Sequence, residues 1–374
     1  MQRAAAWSDV ERLATCGPRP GVFWLFSSGH KTGTELMDHV AEAIAGPDAT
    51  WLSSLGSNGI DQACFSGPDA ALLSSACLAA AKAHAHRILV GRSGPLSEAR
   101  LMEAKGNLQQ SRHAVRVLLS MRDPLEIVKS AFFYHARGAE PSQRAVPSDW
   151  IGELKARCRG EREQWYAQPG AEACAAVLNT DEATTSYAAM LQWLPPYLGI
   201  EIEATNSISH GLERVATARA VEAAHPAIVT TLALEDVFES FDEAFGRLFR
   251  FLGVADDDVG ACLATIRHLD VSSVRGSTTH DACMREHAPA DDVARLEQMR
   301  ARLAPPWEAI TRREGWYDEF VAPLRALSPR ECSDPHVSDP DLSGLKSELE
   351  AVLRASPFYE QHLSPLRLQA GYGT

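Results

Sequence analysis

The chain has 374 residues, a formal net charge of −13 at neutral pH and 45% apolar residues. That much apolar sequence can bury the core of one large domain or two modest ones. The acidic balance argues against a nucleic-acid surface but leaves room for a local basic pocket.

The eight cysteines, at 16, 64, 77, 158, 174, 262, 283 and 332, form no Cys-x-x-Cys pair. In a chain this long they are expected to be reduced, mostly buried thiols. Residues 1–20 read as a helix-prone lead-in, short of apolar residues and carrying Asp9 and Glu11, a poor signal peptide. No apolar run approaches the ~20 residues a membrane span needs. The expectation is a soluble, cytoplasmic protein with no membrane span.

From Gly21 the chain runs through Val22-Phe23-Trp24-Leu25-Phe26, an unbroken apolar stretch that predicts a strand buried on both faces. It then turns through Ser27-Ser28-Gly29-His30-Lys31-Thr32-Gly33-Thr34. It enters a helix with Leu36, Val40 and Ile44 on one face, stopped by Gly46-Pro47. Strand, glycine loop and helix N-terminus make an anion site, because loop amides and the helix dipole point at the bound charge and Lys31 adds a full positive charge. It is not a Walker A loop, since the lysine precedes Gly33 by two residues. Residues 47–69 read as irregular structure beside the pocket, 70–86 as helix, 87–90 as a short strand and 97–110 as helix. His84 and His86 lack a third ligand nearby.

The second informative stretch is Val115 to His135. Val115 to Met121 predicts a strand. Asp123 is a good N-cap, Pro124 suits the first helical position, and Glu126 completes a capping box. Leu125, Val128 and Phe132 form the buried stripe. Arg122 falls at the strand's C-terminal end, where open α/β sheets bind ligands, with Ser130 two turns into the helix.

Together these stretches resemble the sulfotransferases that use 3′-phosphoadenosine-5′-phosphosulfate (PAPS). The Lys31-Thr32-Gly33-Thr34 loop is similar to the family's 5′-phosphosulfate loop. Arg122 and Ser130 match the Arg and Ser of its 3′-phosphate segment. The chain looks nearer the Lys-Thr-Gly-Thr branch than the cytosolic aryl and steroid enzymes.

The resemblance implies a three-layer α/β fold, a central mostly parallel sheet flanked by helices, of the P-loop-like sulfotransferase type. It implies a PAPS-dependent transferase acting on a hydroxyl or amine of a small-molecule acceptor, with the desulfated product PAP and no metal. Donor contacts would come from Gly29, His30, Lys31, Thr32, Gly33, Thr34, Arg122 and Ser130. Tyr187 would be a candidate adenine contact, and Arg275 and Gly276 a late basic loop on the 3′-phosphate. Lys31 would stabilise the leaving bisphosphate.

The histidine base of the cytosolic branch is missing, because its stretch reads Arg92-Ser93-Gly94. Glu35 is the first candidate base, with Asp61, His86 and Glu42 as others. Leu36 stands where cytosolic members stack a tryptophan on adenine. Glu35 and the acidic composition suggest a cationic acceptor. A nucleotide kinase or phosphate-loop NTPase, and a non-catalytic nucleotide-binding module, are the alternatives. A homodimer is compatible with all of these.

Further along, 138–186 is polar and mostly helical, and Tyr187 to Leu198 is a helix ended by Pro195-Pro196. Residues 227–236 predict a strand ending in Glu235-Asp236, followed by a helix from Phe238 to Leu252 stopped by Gly253. Asp256-Asp257-Asp258 reads as a solvated loop, and His280, Cys283 and His287 as a non-metal helix. The rest, including 342–353, is helical. The domain boundaries expected are a lead-in at 1–20, a sulfotransferase-like domain at 21–325 and a C-terminal helical extension at 326–374.

Overall fold

The computed structural model describes residues 16–18, 22–29, 31–45, 51–53, 88–91, 98, 101–102, 106, 114–139, 141–161, 167–270, 289–303, 307–326 and 342–373. Their strands are β1 (Val22–Ser27), β2 (Trp51–Ser53), β3 (Ile88–Gly91), β4 (Ala114–Met121) and β5 (Val229–Ala233). They form one parallel sheet in the order β2-β3-β1-β4-β5. An α/β class with a parallel sheet is therefore present. Strand β2 corrects the expectation of wholly irregular structure at 47–69: the edge strand is only three residues long, too short to show a period.

The chain folds as two compact units, which differ from the single domain expected at 21–325. The first comprises 1–123, 211–273 and 369–372; the second comprises 124–210, 274–368 and 373–374. The reason lies in the segment between β4 and β5. It contains far more helix than one crossover needs, and it buries its apolar faces in a core of its own.

In the first unit, β1 is buried along both faces, as its apolar run requires. Trp24, Phe26, Ile88, Leu118 and Leu232 share a core with the helices Thr34–Ala45, Phe241–Leu252 and Asp256–Ile266. The helix Phe241–Leu252 ends at Gly253 in the left-handed region, φ 93°, the conformation a glycine C-cap supplies. Asp256, Asp257 and Asp258 form the first turn of a helix and not a loop. Three carboxylates there complement the positive end of the helix dipole.

In the second unit, the helix Pro124–Ala136 carries Phe132, whose ring stacks on Trp316 at 5.5 Å and 18°. Trp316 Nε1 donates to Leu191 O at 3.2 Å, so the buried indole keeps its hydrogen bond. Gly199 passes against the same phenylalanine; a Cβ there would lie 2.7 Å from Phe132 Cε2. The helix Tyr187–Trp193 starts on Ser186, whose hydroxyl accepts the Ala189 amide, and stops short of the expected Leu198. Leu194 is extended, as a residue before proline prefers, and Pro196 then opens the next helix, Pro196–Ser207. The proline pair is thus both a stop and a start.

Among the described residues, two disulfides correct the expectation of reduced thiols. Cys16 pairs with Cys262 in the first unit, and Cys158 with Cys174 in the second. The partners are 246 and 16 residues apart, so spacing alone gave no cue to either. Among the described residues no helix is long and apolar enough to cross a membrane.

Candidate functional site

The strand order fixes where a ligand can bind. The chain leaves β1 toward β3 and β2 on one side, and leaves β4 toward β5 on the other. β1 and β4 are neighbours, with Ser27 opposite Leu119. Their carboxyl ends flank the point where the winding reverses, and open parallel sheets bind ligands in that crevice. The loop after β1 holds Gly29 and Lys31–Gly33; the turn after β4 holds Arg122 and Asp123. All belong to the first unit.

The loop is tightly built. Thr32 is buried, accepts the Gly29 amide on its hydroxyl at 2.8 Å and donates that hydroxyl to Gly29 O at 2.9 Å. Its own amide donates to Gly29 O at 3.3 Å. Thr32 Oγ1 lies 3.4 Å from Ser120 Oγ, which donates to Ser27 O at 3.2 Å. Both polar groups of Thr32 are therefore engaged within the protein. Thr32 thus shapes the loop, its hydroxyl held by Gly29 and close to Ser120.

Lys31 has φ 62°, the one non-glycine residue with positive φ among those described. Gly33 follows at φ 90°. Positive φ at Lys31 and Gly33 places both in the left-handed region. A residue with a β-carbon rarely adopts that conformation without a local reason. Gly33 O accepts the Met37 amide at 3.0 Å, the first bond of the helix Thr34–Ala45. The amides of Thr34, Glu35 and Leu36 thus stand in the first turn, where a helix has no acceptors of its own. The positive φ favours glycine, and a Cβ there would also sit 3.2 Å from Leu234 Cδ1, a tight contact that the leucine side chain would have to ease.

Arg122 Nη1 donates to Lys31 O at 3.3 Å, so the basic residue after β4 braces the loop after β1. A guanidinium has five N–H donors in a planar fork, the geometry that suits a phosphate. The Asp123 amide donates to Glu235 Oε1 at 3.0 Å, and Glu235 Oε2 accepts from Tyr372 OH at 2.8 Å. Glu126 instead pairs with Lys129 at 2.5 Å, so the expected capping box is replaced by a long-range partner.

Ser130 is half-buried on the helix Pro124–Ala136, in the second unit. Its neighbour Lys129 is held between Glu126 and Glu350, each at 2.5 Å. Burial opposes the lysine's charge, but the two carboxylates outweigh it and hold its pKa above the ordinary value. Tyr187 is wholly buried, and its hydroxyl donates to the buried Glu203 at 2.9 Å. Burial first, then the Glu203 carboxylate, push its pKa well up. No face of that ring is open to an adenine, so Tyr187 is a core residue.

Glu35 and Thr34 lie in the first helical turn, and their side chains fall outside the described residues, as do His30, Arg275 and Gly276 entirely. His84, His86, His280, Cys283 and His287 also lie outside them. Among the described residues no three His, Cys, Asp or Glu side chains gather as a metal site.

Sequence reasoning missed Ser120, Glu235 and Tyr372. Ser120 had a signal, a lone hydroxyl in the apolar run Leu118 to Met121. Glu235 had one too, an acid at the carboxyl end of a parallel strand. Tyr372 had none. No protein-family profile, curated protein or solved structure matches the chain.

Proposed function

We propose that the protein is a sulfotransferase of the P-loop-like fold, moving a sulfuryl group from PAPS to a hydroxyl or amine of a small acceptor. One observation carries the reading: a lysine in left-handed conformation, in a glycine loop that opens a helix, braced by the arginine of the neighbouring strand at the sheet's switch point. That assembly suits a phosphate or sulfate group.

In the transfer, the bond from sulfur to the bridging phosphate oxygen breaks as a bond from sulfur to the acceptor's oxygen or nitrogen forms. The acceptor's proton passes to a base, and PAP leaves with the bonding pair. Loop amides, the helix dipole and the Lys31 ammonium oppose the charge that grows on the leaving phosphate. Arg122 keeps the loop in register and is the proposed 3′-phosphate contact. Glu35, in the first turn of the loop's helix, is the proposed base, and a cationic acceptor is the proposed preference. The two disulfides favour an oxidising compartment over the cytoplasmic one that the cysteine spacing suggested.

Calorimetry with PAP tests the reading. Wild-type protein should bind PAP, Lys31→Ala should bind it about tenfold to a hundredfold more weakly, and labelled sulfate should pass from PAPS to an amine or phenol. ATP binding that PAP does not displace would instead favour the phosphate-loop NTPase. PAP binding without transfer to any acceptor would favour a nucleotide-binding module.

A further inference from the structure

We propose that Tyr372 is a positioning residue for the anion site, setting the Arg122 turn through Glu235. The proposal rests on the reading of that crevice as a donor site.

The chain of contacts is continuous within the first unit. Tyr372 OH donates to one carboxylate oxygen of Glu235 at 2.8 Å. The other oxygen accepts the Asp123 amide at 3.0 Å. Asp123 follows Arg122 directly, and Arg122 reaches Lys31 O at 3.3 Å. A displacement at Glu235 therefore moves the peptide that carries the arginine. The amide concerned is the one a local capping box would satisfy. Here that task falls to a carboxylate 112 residues away in sequence.

Glu235 sits in the first turn of the helix Leu234–Glu239, at the carboxyl end of β5. A carboxylate at this end of the sheet opposes an anionic ligand unless its charge is turned aside. Tyr372 tempers that charge: one oxygen accepts from the phenol and the other from the Asp123 amide, so each carries a hydrogen bond within the protein. The tyrosine is itself held. Arg219 Cζ lies 6.0 Å from its ring centroid, a cation–π approach. Gly371 turns at φ 84°, and a Cβ there would lie 3.1 Å from Arg219 Cδ. Burial, then the Glu235 and Asp123 carboxylates, hold the phenol protonated far above neutral pH, so it stays a donor.

The segment Gln369–Tyr372 belongs to the first unit although the residues just before it belong to the second. It thus brings one hydroxyl to the strand ends from a distant part of the chain.

The test uses the full chain and the variants Tyr372→Phe, which loses only the hydroxyl, and Glu235→Gln. Two readouts are taken, PAP affinity by calorimetry and hydrogen exchange of the peptide spanning Asp123. Tyr372→Phe should weaken PAP about threefold to tenfold, the effect of one lost hydrogen bond to a charged group. It should also speed exchange at Asp123, while thermal unfolding stays close to wild type. Wild-type affinity and wild-type exchange in Tyr372→Phe overturn the proposal. Unchanged affinity with faster exchange overturns the link to the anion site and leaves Tyr372 a structural brace. A wild-type protein that binds no PAP overturns the donor-site reading and this role with it.

Discussion

Replacing Lys31 separates what the residue costs the fold from what it does in the loop. Its φ of 62° places a β-carbon residue in the left-handed region. That conformation costs roughly 1–2 kcal/mol. Glycine adopts it freely, though its extra freedom in the unfolded chain offsets about 0.5–1 kcal/mol of the gain. Lys31→Gly should therefore be more stable than Lys31→Ala by about 0.5–1 kcal/mol, or about 1–4 °C in melting temperature for a unit of this size. Binding should run the other way. Both variants lose the ammonium, and with it about tenfold to a hundredfold in PAP affinity, the scale of a charge-assisted contact. Calorimetric melting and PAP titration on the three proteins provide the comparison. Equal stability of the two variants would refute the strain argument. Wild-type PAP affinity in either would refute the role of the lysine in the anion site.

Gly199→Ala should destabilise the second unit by about 1–3 kcal/mol, because its new methyl would meet the Phe132 ring at 2.7 Å; urea melts measure it, and a Phe132→Leu background should recover part of the loss. Glu350→Gln should cost about 1–2 kcal/mol, less than a fully buried pair, because Glu126 still partners Lys129. Burial alone would raise the Glu350 pKa, yet Lys129 and Arg354 hold it below the usual carboxylate value. Its contribution is therefore present above the unfolded value and fades as pH falls through the lower folded one; the deficit of the variant should shrink as pH falls below the usual carboxylate value, as urea melts at a series of acidic pH values would show. Reduction, or Cys16→Ser with Cys262→Ser, should lower stability by about 2–5 kcal/mol, since the bond closes a loop spanning 246 residues of sequence separation. Melting curves with and without reductant check this, and four thiols already titratable in the native, unreduced state among Cys16, Cys158, Cys174 and Cys262 would contradict it.

The strand β1 and the helix after its loop were legible because both faces of one and one face of the other must be apolar to be buried. β3, β4 and β5 followed from short apolar runs ending in turn or acid residues. The helix at 124–136 was announced by Asp123 and Pro124. The capping box was misread, because a carboxylate brought near by the fold competes successfully with a local one. Thr32 was assigned to the donor by the loop's resemblance to the sulfotransferase 5′-phosphosulfate loop. Only its neighbours in space show that its hydroxyl is engaged in closing the loop.

What the sequence alone determined is local: apolar period, caps, proline and glycine stops, and the order in which strand, lysine loop and helix occur. These depend on residues a few positions apart, so the chain itself states them. The tertiary structure decided everything that depends on pairs distant along the chain. It put β4 beside β1 so that Arg122 meets the Lys31 carbonyl. It forced Lys31 into the left-handed region, paired Cys16 with Cys262, and delivered Tyr372 to Glu235. Such contacts arise because packing a parallel sheet gathers strand ends from remote parts of the chain into one crevice, and no spacing within the sequence encodes which ends will meet.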